Sequence, residues 1–105
     1  MGSYRSKLDI IAAILRVASQ NAKKTQIMYQ ANLSYKLLTK YLSETIEASL
    51  LRFERKNRRY VVTTKGHMFL EKYREYSRHN NHIEKQLNNI RNKRKALEEL
   101  CFNNQ

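Results

Sequence analysis

The last third of the chain carries an unbroken four-three repeat. Phe69, Tyr73, Tyr76, Asn80, Ile83, Leu87, Ile90, Arg94, Leu97 and Cys101 follow one another at steps alternating between four and three, and eight of the ten are apolar or aromatic. That spacing lines all ten along one stripe of an α-helix and is the pattern of a coiled-coil seam. No glycine or proline lies beyond Gly66, so nothing interrupts a helix of roughly 50 Å at 1.5 Å per residue. The residues before it are too few to cover the whole seam, which makes a second copy of the same chain the natural partner. A helix folded back on its own domain is the alternative, but it does not need four uninterrupted heptads.

A chain of 105 residues has room for one small domain in front of such a helix, and a core of about 65 residues is marginal alone. The expected division is a domain over 4–66 and a dimerisation helix over 67–105. Charge divides at the same place. Residues 1–66 hold 13 basic and 4 acidic residues, net +9, whereas residues 67–105 hold 8 and 5, net +3. A polyanionic partner is therefore sought on the front domain. One cysteine and three scattered histidines supply neither an intrachain disulfide nor metal-ligand spacing. No apolar run is long enough to span a membrane and no secretory segment stands at the start, so the expectation is a cytoplasmic chain. The opening Met1-Gly2-Ser3-Tyr4-Arg5-Ser6 matches a myristoylation pattern, which is short enough to arise by chance.

In the front domain, Leu8, Ile11, Ala12, Ile14, Leu15 and Ala18 recur at helical spacing behind Ser6, a suitable N-cap. Ser19 to Lys24 reads as a loop. Thr25 is then expected to cap a short second helix through Ile27, Met28 and Ala31, with Asn32 as its left-handed terminator. Ser34 is expected to cap a third helix from Tyr35 to about Ala48, with Leu38, Tyr41, Leu42, Thr45 and Ile46 inward and Lys36, Thr39, Lys40, Ser43 and Glu47 outward. Two helices joined by a short turn, the second with a polar and basic outer face, form a helix-turn-helix arrangement.

After the third helix the periodicity changes to two. Leu50, Leu51 and Phe53, then Tyr60, Val61 and Val62, are β-prone runs separated by Glu54 to Arg59, which predicts a hairpin with a basic tip. Thr63 or Thr64 is positioned to cap the long helix. The fold class expected is thus mainly α (α+β): a winged helix-turn-helix domain followed by a long C-terminal coiled-coil dimerisation helix.

This sequence resembles the archaeal "10a" family of small winged-helix chromatin proteins. The likeness is carried by Ser6-Lys7-Leu8-Asp9-Ile10-Ile11, by Lys24-Thr25-Gln26-Ile27-Met28-Tyr29 with Ala31-Asn32-Leu33-Ser34-Tyr35, by Tyr41-Leu42, and by Thr63-Thr64-Lys65-Gly66. The resemblance implies a homodimer through an antiparallel coiled coil, with a winged helix at each end that binds duplex DNA. Two positions depart from it: Thr45 stands where similar sequences tend to place leucine, and Ser49 where many winged helices have a helix-ending glycine. These bear on core packing and on the helix-to-strand turn rather than on the fold.

The expected DNA-binding residues are Ser34, Tyr35, Lys36, Thr39 and Lys40 on the third helix and Arg52, Arg55, Lys56, Asn57, Arg58 and Arg59 on the hairpin. Lys36 and Lys40 also fit an ordinary solvated helix face. The hairpin cluster fits that reading less well, because so many like charges repel one another unless an anion compensates. The dimerisation set is Tyr76, Asn80, Ile83, Leu87, Ile90, Arg94, Leu97 and Cys101. In a parallel dimer Arg94 would face Arg94, whereas antiparallel pairing sets it against Ile83 or Tyr76. No phosphate loop, carboxylate pair or base-activated nucleophile points to an enzyme, and neither a cofactor nor a small-molecule effector is expected. Two functions fit: a dimeric duplex-DNA-binding protein, nucleoid-associated, as chromatin component or transcriptional regulator; or a protein-interaction module on a winged-helix scaffold. RNA binding is a third. The front-domain charge favours the first.

Overall fold

The computed structural model describes residues 5–102; the expected domain start at residue 4 and most of the myristoylation-like pattern lie outside them. The element order is α1 (Lys7–Ala18), α2 (Lys24–Gln30), α3 (Tyr35–Glu47), β1 (Leu51–Glu54), β2 (Arg59–Val62) and α4 (Thr64–Phe102). This is the mainly helical winged architecture with a long C-terminal helix that the sequence predicts.

α1 begins where its capping residues put it. Ser6 Oγ accepts from Asp9 N at 3.2 Å while the Asp9 carboxylate accepts from Ser6 N at 2.9 Å, so two N–H groups of the helix start are satisfied reciprocally. The buried stripe is Ile10, Ile11, Ala12, Ile14, Leu15 and Ala18. Leu8, expected inside, is 44% exposed. It lies in the first turn, beside Lys7, whose Nζ is drawn to Glu44 of α3 at 3.0 Å, and the core begins only with Ile10 and Ile11.

α2 starts earlier than Thr25 would dictate: its N-cap is Lys23, without a side-chain cap. The tertiary cause is a β-bridge between Ala22 and Tyr60, in which Tyr60 N donates to Ala22 O at 2.8 Å. That pairing holds the chain extended up to Lys23 and leaves Thr25 already inside the first turn. The turn between α2 and α3 follows expectation, with Asn32 left-handed at φ 55°, a conformation asparagine tolerates.

In α3 Leu38, Tyr41, Leu42 and Thr45 are buried. The Thr45 hydroxyl, 1% exposed, donates to the carbonyls of Tyr41 and Leu42 at 2.9 Å, so a polar group sits in the core without an unmet hydrogen bond. Ile46, expected inside, is exposed, because it falls on the flank of the stripe in the helix's last turn. β1 and β2 pair antiparallel with Leu51 opposite Val62 and Glu54 opposite Arg59. The Phe53 and Tyr60 rings lie opposite each other, centroids 4.9 Å apart, a favourable cross-strand pair.

Thr63 starts α4. Its Oγ1 accepts from Gly66 N at 3.0 Å and donates to Ser49 O at 2.6 Å. The core, built on Ile14, Leu15, Ile27, Leu38 and Leu51, is completed by Phe69 and Leu70 packed against it, and the Tyr73 hydroxyl donates to Asp9. The first compact unit accordingly runs through Tyr73, and the second is 74–105. The boundary falls beyond Gly66 because the first turns of α4 are used to close the front core.

Candidate nucleic-acid interface

Ser34 sets the start of α3, its Oγ accepting from Leu37 N at 3.2 Å. The outer face behind it carries Lys36, Thr39, Lys40, Ser43 and Glu47, all exposed. Thr39 turns its hydroxyl back to the Tyr35 carbonyl at 2.9 Å. Lys40 Nζ lies 5.3 Å from the centre of the Tyr41 ring. The helix therefore offers two cations, Lys36 and Lys40, along one solvent-facing stripe.

Residues Arg55 to Arg58 form the hairpin turn, closed by Arg58 N donating to Arg55 O at 3.3 Å. Arg58 is left-handed at φ 53°, an uncommon conformation for a residue with a Cβ. The hairpin residues divide by what they touch. Glu54 takes Asn57 Nδ2 on one oxygen at 2.9 Å and lies 3.9 Å from Arg52. Arg59 donates to Asn21 O at 2.7 Å, tying the second strand to the loop after α1. Arg55, Lys56 and Arg58 are exposed and make no ion pair among the described residues. The hairpin is thus three unneutralised cations on a base that Arg52, Glu54, Asn57 and Arg59 hold in shape.

Two cations outside the expected set also stand at the helix-turn-helix. Arg5 donates to the carbonyls of Ala31 and Asn32 at 2.8 and 2.9 Å, bracing the turn and satisfying carbonyls at the end of α2. Lys24 reaches Tyr35: its Nζ is 3.4 Å from the phenol oxygen and 4.6 Å from the ring centre. The Lys24 ammonium holds the Tyr35 phenol below the ordinary tyrosine range, since it favours the phenolate by hydrogen bond and charge. No spacing rule pairs residues eleven apart on different helices, so only helix docking reveals this contact.

On the second unit the apolar stripe of α4 faces solvent: Tyr76, Ile83, Leu87, Ile90 and Leu97 are 41 to 64% exposed. Asn80 and Cys101 are exposed too, and Arg94 makes an in-helix pair with Glu98 at 3.3 Å. Among the described residues no cluster fit to hold a metal is present and no helix is long and apolar enough to cross a membrane.

Three helices, the third capped by Ser34, and a two-stranded wing define a winged helix-turn-helix domain. The family model described as winged helix-turn-helix matches residues 4–81, and the chain belongs to that family. It is similar to the crystal structure of Sso10a-2, a DNA-binding protein from Sulfolobus solfataricus, with a TM-score of 0.70 and 25% identity over 89% of this chain and 96% of that one. It is also 37% identical over 75 residues to an uncharacterised protein of Methanocaldococcus jannaschii, covering 70% of this chain and 35% of that relative's length. These likenesses agree with the 10a-type resemblance seen in the sequence.

Proposed function

We propose that this chain is a dimeric duplex-DNA-binding protein acting in the nucleoid, as a chromatin component or a local transcriptional regulator. α3 enters the major groove through Lys36, Thr39 and Lys40, and Arg55, Lys56 and Arg58 of the wing lie along the phosphate backbone. The observation that carries this reading is the wing tip: three exposed cations within four residues that make no ion pair among the described residues, on a front region of net +9. Such a cluster is stabilised by a phosphate backbone. The similar Sulfolobus protein is a DNA-binding one, which supports the same assignment. The winged scaffold is a binding device, so the reading is of a non-catalytic protein.

Dimerisation is supported by the exposed stripe on α4, which a second copy would cover. In the antiparallel register centred between Leu87 and Ile90, Arg94 meets Ile83 and Glu84 comes beside Arg91 of the other copy.

A gel-shift series tests the function: one defined duplex against random-sequence competitor DNA and single-stranded RNA, at several salt concentrations. Binding to duplex should fall linearly in log K against log salt, with a slope of about −0.9 per phosphate contacted. Preference for the defined duplex identifies a regulator, and equal competition a chromatin component. Retention on RNA alone, or on neither, overturns the proposal.

A further inference from the structure

Lys24 is the first residue of α2 and Tyr35 the first of α3. We infer that the two act as one unit that grips a backbone phosphate of duplex DNA beside the groove α3 enters. This rests on the DNA-binding reading above and adds to it a residue, Lys24, that lies off both the recognition helix and the wing.

The unit's chemistry is one-sided. Lys24 spends a hydrogen on the Tyr35 oxygen, which leaves its ammonium two further hydrogens and engages a lone pair of the phenol, so the phenol's own O–H is turned to donate elsewhere. Two donors, one of them charged, stand 3.4 Å apart, with the Thr39 hydroxyl beside the phenol and no carboxylate paired with Lys24 among the described residues. That arrangement fits a group that only accepts, as a phosphate oxygen does, better than a base edge, where donors alternate with acceptors. Neither helix has an acidic residue in its first turn, and none of the ion pairs among the described residues uses Lys24. The charge is therefore unspent. Lys24 also rests over the Tyr35 ring at 4.6 Å, a cation–π contact that holds a flexible side chain in one place before any ligand arrives and lowers the ordering cost on binding. Tyr35 is 64% exposed, so the unit is open to a partner as large as a duplex.

The experiment has two parts, both on the full chain. In the free protein, the phenol of Tyr35 is titrated by NMR. Lys24→Met should move it upward and leave the other tyrosines in place, whereas Lys24→Arg should hold it low. Duplex binding is then measured across a salt series for Lys24→Met, Lys24→Gln, Tyr35→Phe and the double variant. Each single change should weaken binding roughly five- to tenfold, as expected for the net contribution of one hydrogen bond exposed to solvent. Either neutral variant at Lys24 should lower the salt slope by about 0.9 per domain, and Lys24→Arg should restore it. The double variant should lose less than the product of the two single losses, because the second change removes a contact already broken. Losses that multiply independently, or a Lys24→Met slope equal to wild type while removal of Arg55, Lys56 and Arg58 still lowers it, overturn the phosphate grip alone. A wild-type chain that fails to bind duplex at all overturns the DNA-binding reading and the grip with it.

Discussion

Gly66 lies where the first turn of α4 passes over Leu50, and a Cβ there would stand 2.2 Å from the Leu50 carbonyl oxygen and 2.6 Å from a Val62 methyl. Gly66→Ala gains helix propensity of about 1 kcal/mol, but the clash is with backbone that cannot step aside. Overpacking at about 2–3 kcal/mol wins, and urea unfolding should show a net loss. Ser49 shows the opposite case. It is held at φ 63°, where a Cβ costs roughly 1 kcal/mol, so Ser49→Gly should raise the urea midpoint by about 0.5–1 kcal/mol equivalent, with no change in DNA binding. Asp9 couples α1 to α4. The Tyr73 hydroxyl first, then Ser6 N, hold its carboxyl below the usual carboxylate range. A depressed folded-state value means the unfolded chain takes the proton first as pH falls. The stabilisation is whole above the ordinary aspartate value of about 3.9 and fades as pH drops through the folded value. Asp9→Asn should flatten the stability profile in that window, and curves that stay parallel to wild type would remove the coupling.

On the DNA-binding reading proposed above, the wing supplies affinity and α3 selectivity. Replacing Arg55, Lys56 and Arg58 together by alanine should lower the salt slope by roughly 2.7 units per domain, about 0.9 for each phosphate released. Adding Arg59→Ala should move the slope less than a further full unit and lower thermal stability, because its guanidinium already serves Asn21 O. Changes at Lys36, Thr39 and Lys40 should instead alter which sequences are preferred. If these lose affinity equally on every duplex, α3 touches only backbone. The wing's readiness for this task comes from its own hydrogen bonds: Asn57 to Glu54 and the closed turn at Arg58 hold the tip in shape while its cations stay in water.

In the dimer proposed above, the deciding quantity is the direction of the second copy's α4. Antiparallel pairing about the midpoint between Leu87 and Ile90 separates the two Cys101 residues by roughly 37 Å at 1.5 Å per residue, beyond any disulfide. Parallel pairing makes them opposite seam residues. Under mild oxidation at low concentration the antiparallel dimer should stay uncrosslinked, with Cys101→Ser as control; rapid, complete crosslinking within dimers would establish a parallel coil. Arg94 bears on this less by repulsion than its charge suggests, since Glu98 lies 3.3 Å from it along the same helix. The stronger discriminant is Glu84 beside Arg91, a pair only the antiparallel register brings together.

Much of this was written in short-range signals. Ser6 with Asp9, Ser34 three residues before Leu37, Asn32 after α2 and the four-three repeat beyond Phe69 each act within one or two turns of helix, so the amino-acid order alone determined α1, α3, the turn, the wing and the long helix. The tip cations were legible for the same reason, falling within four residues of one another. What the sequence could not contain is which remote side chains meet. Arg5 on the α2 terminus, Lys24 on Tyr35, Arg59 on Asn21 and Ala22 against Tyr60 join residues eleven to thirty-eight positions apart. Those contacts moved the start of α2 away from Thr25 and committed Arg59 to the scaffold, while Phe69 and Leu70 on the core and Tyr73 on Asp9 carried the front unit on to Tyr73. Local propensity acts along the chain, whereas packing acts between elements, and only the docked helices decide which of the many basic residues are held and which remain available to a partner.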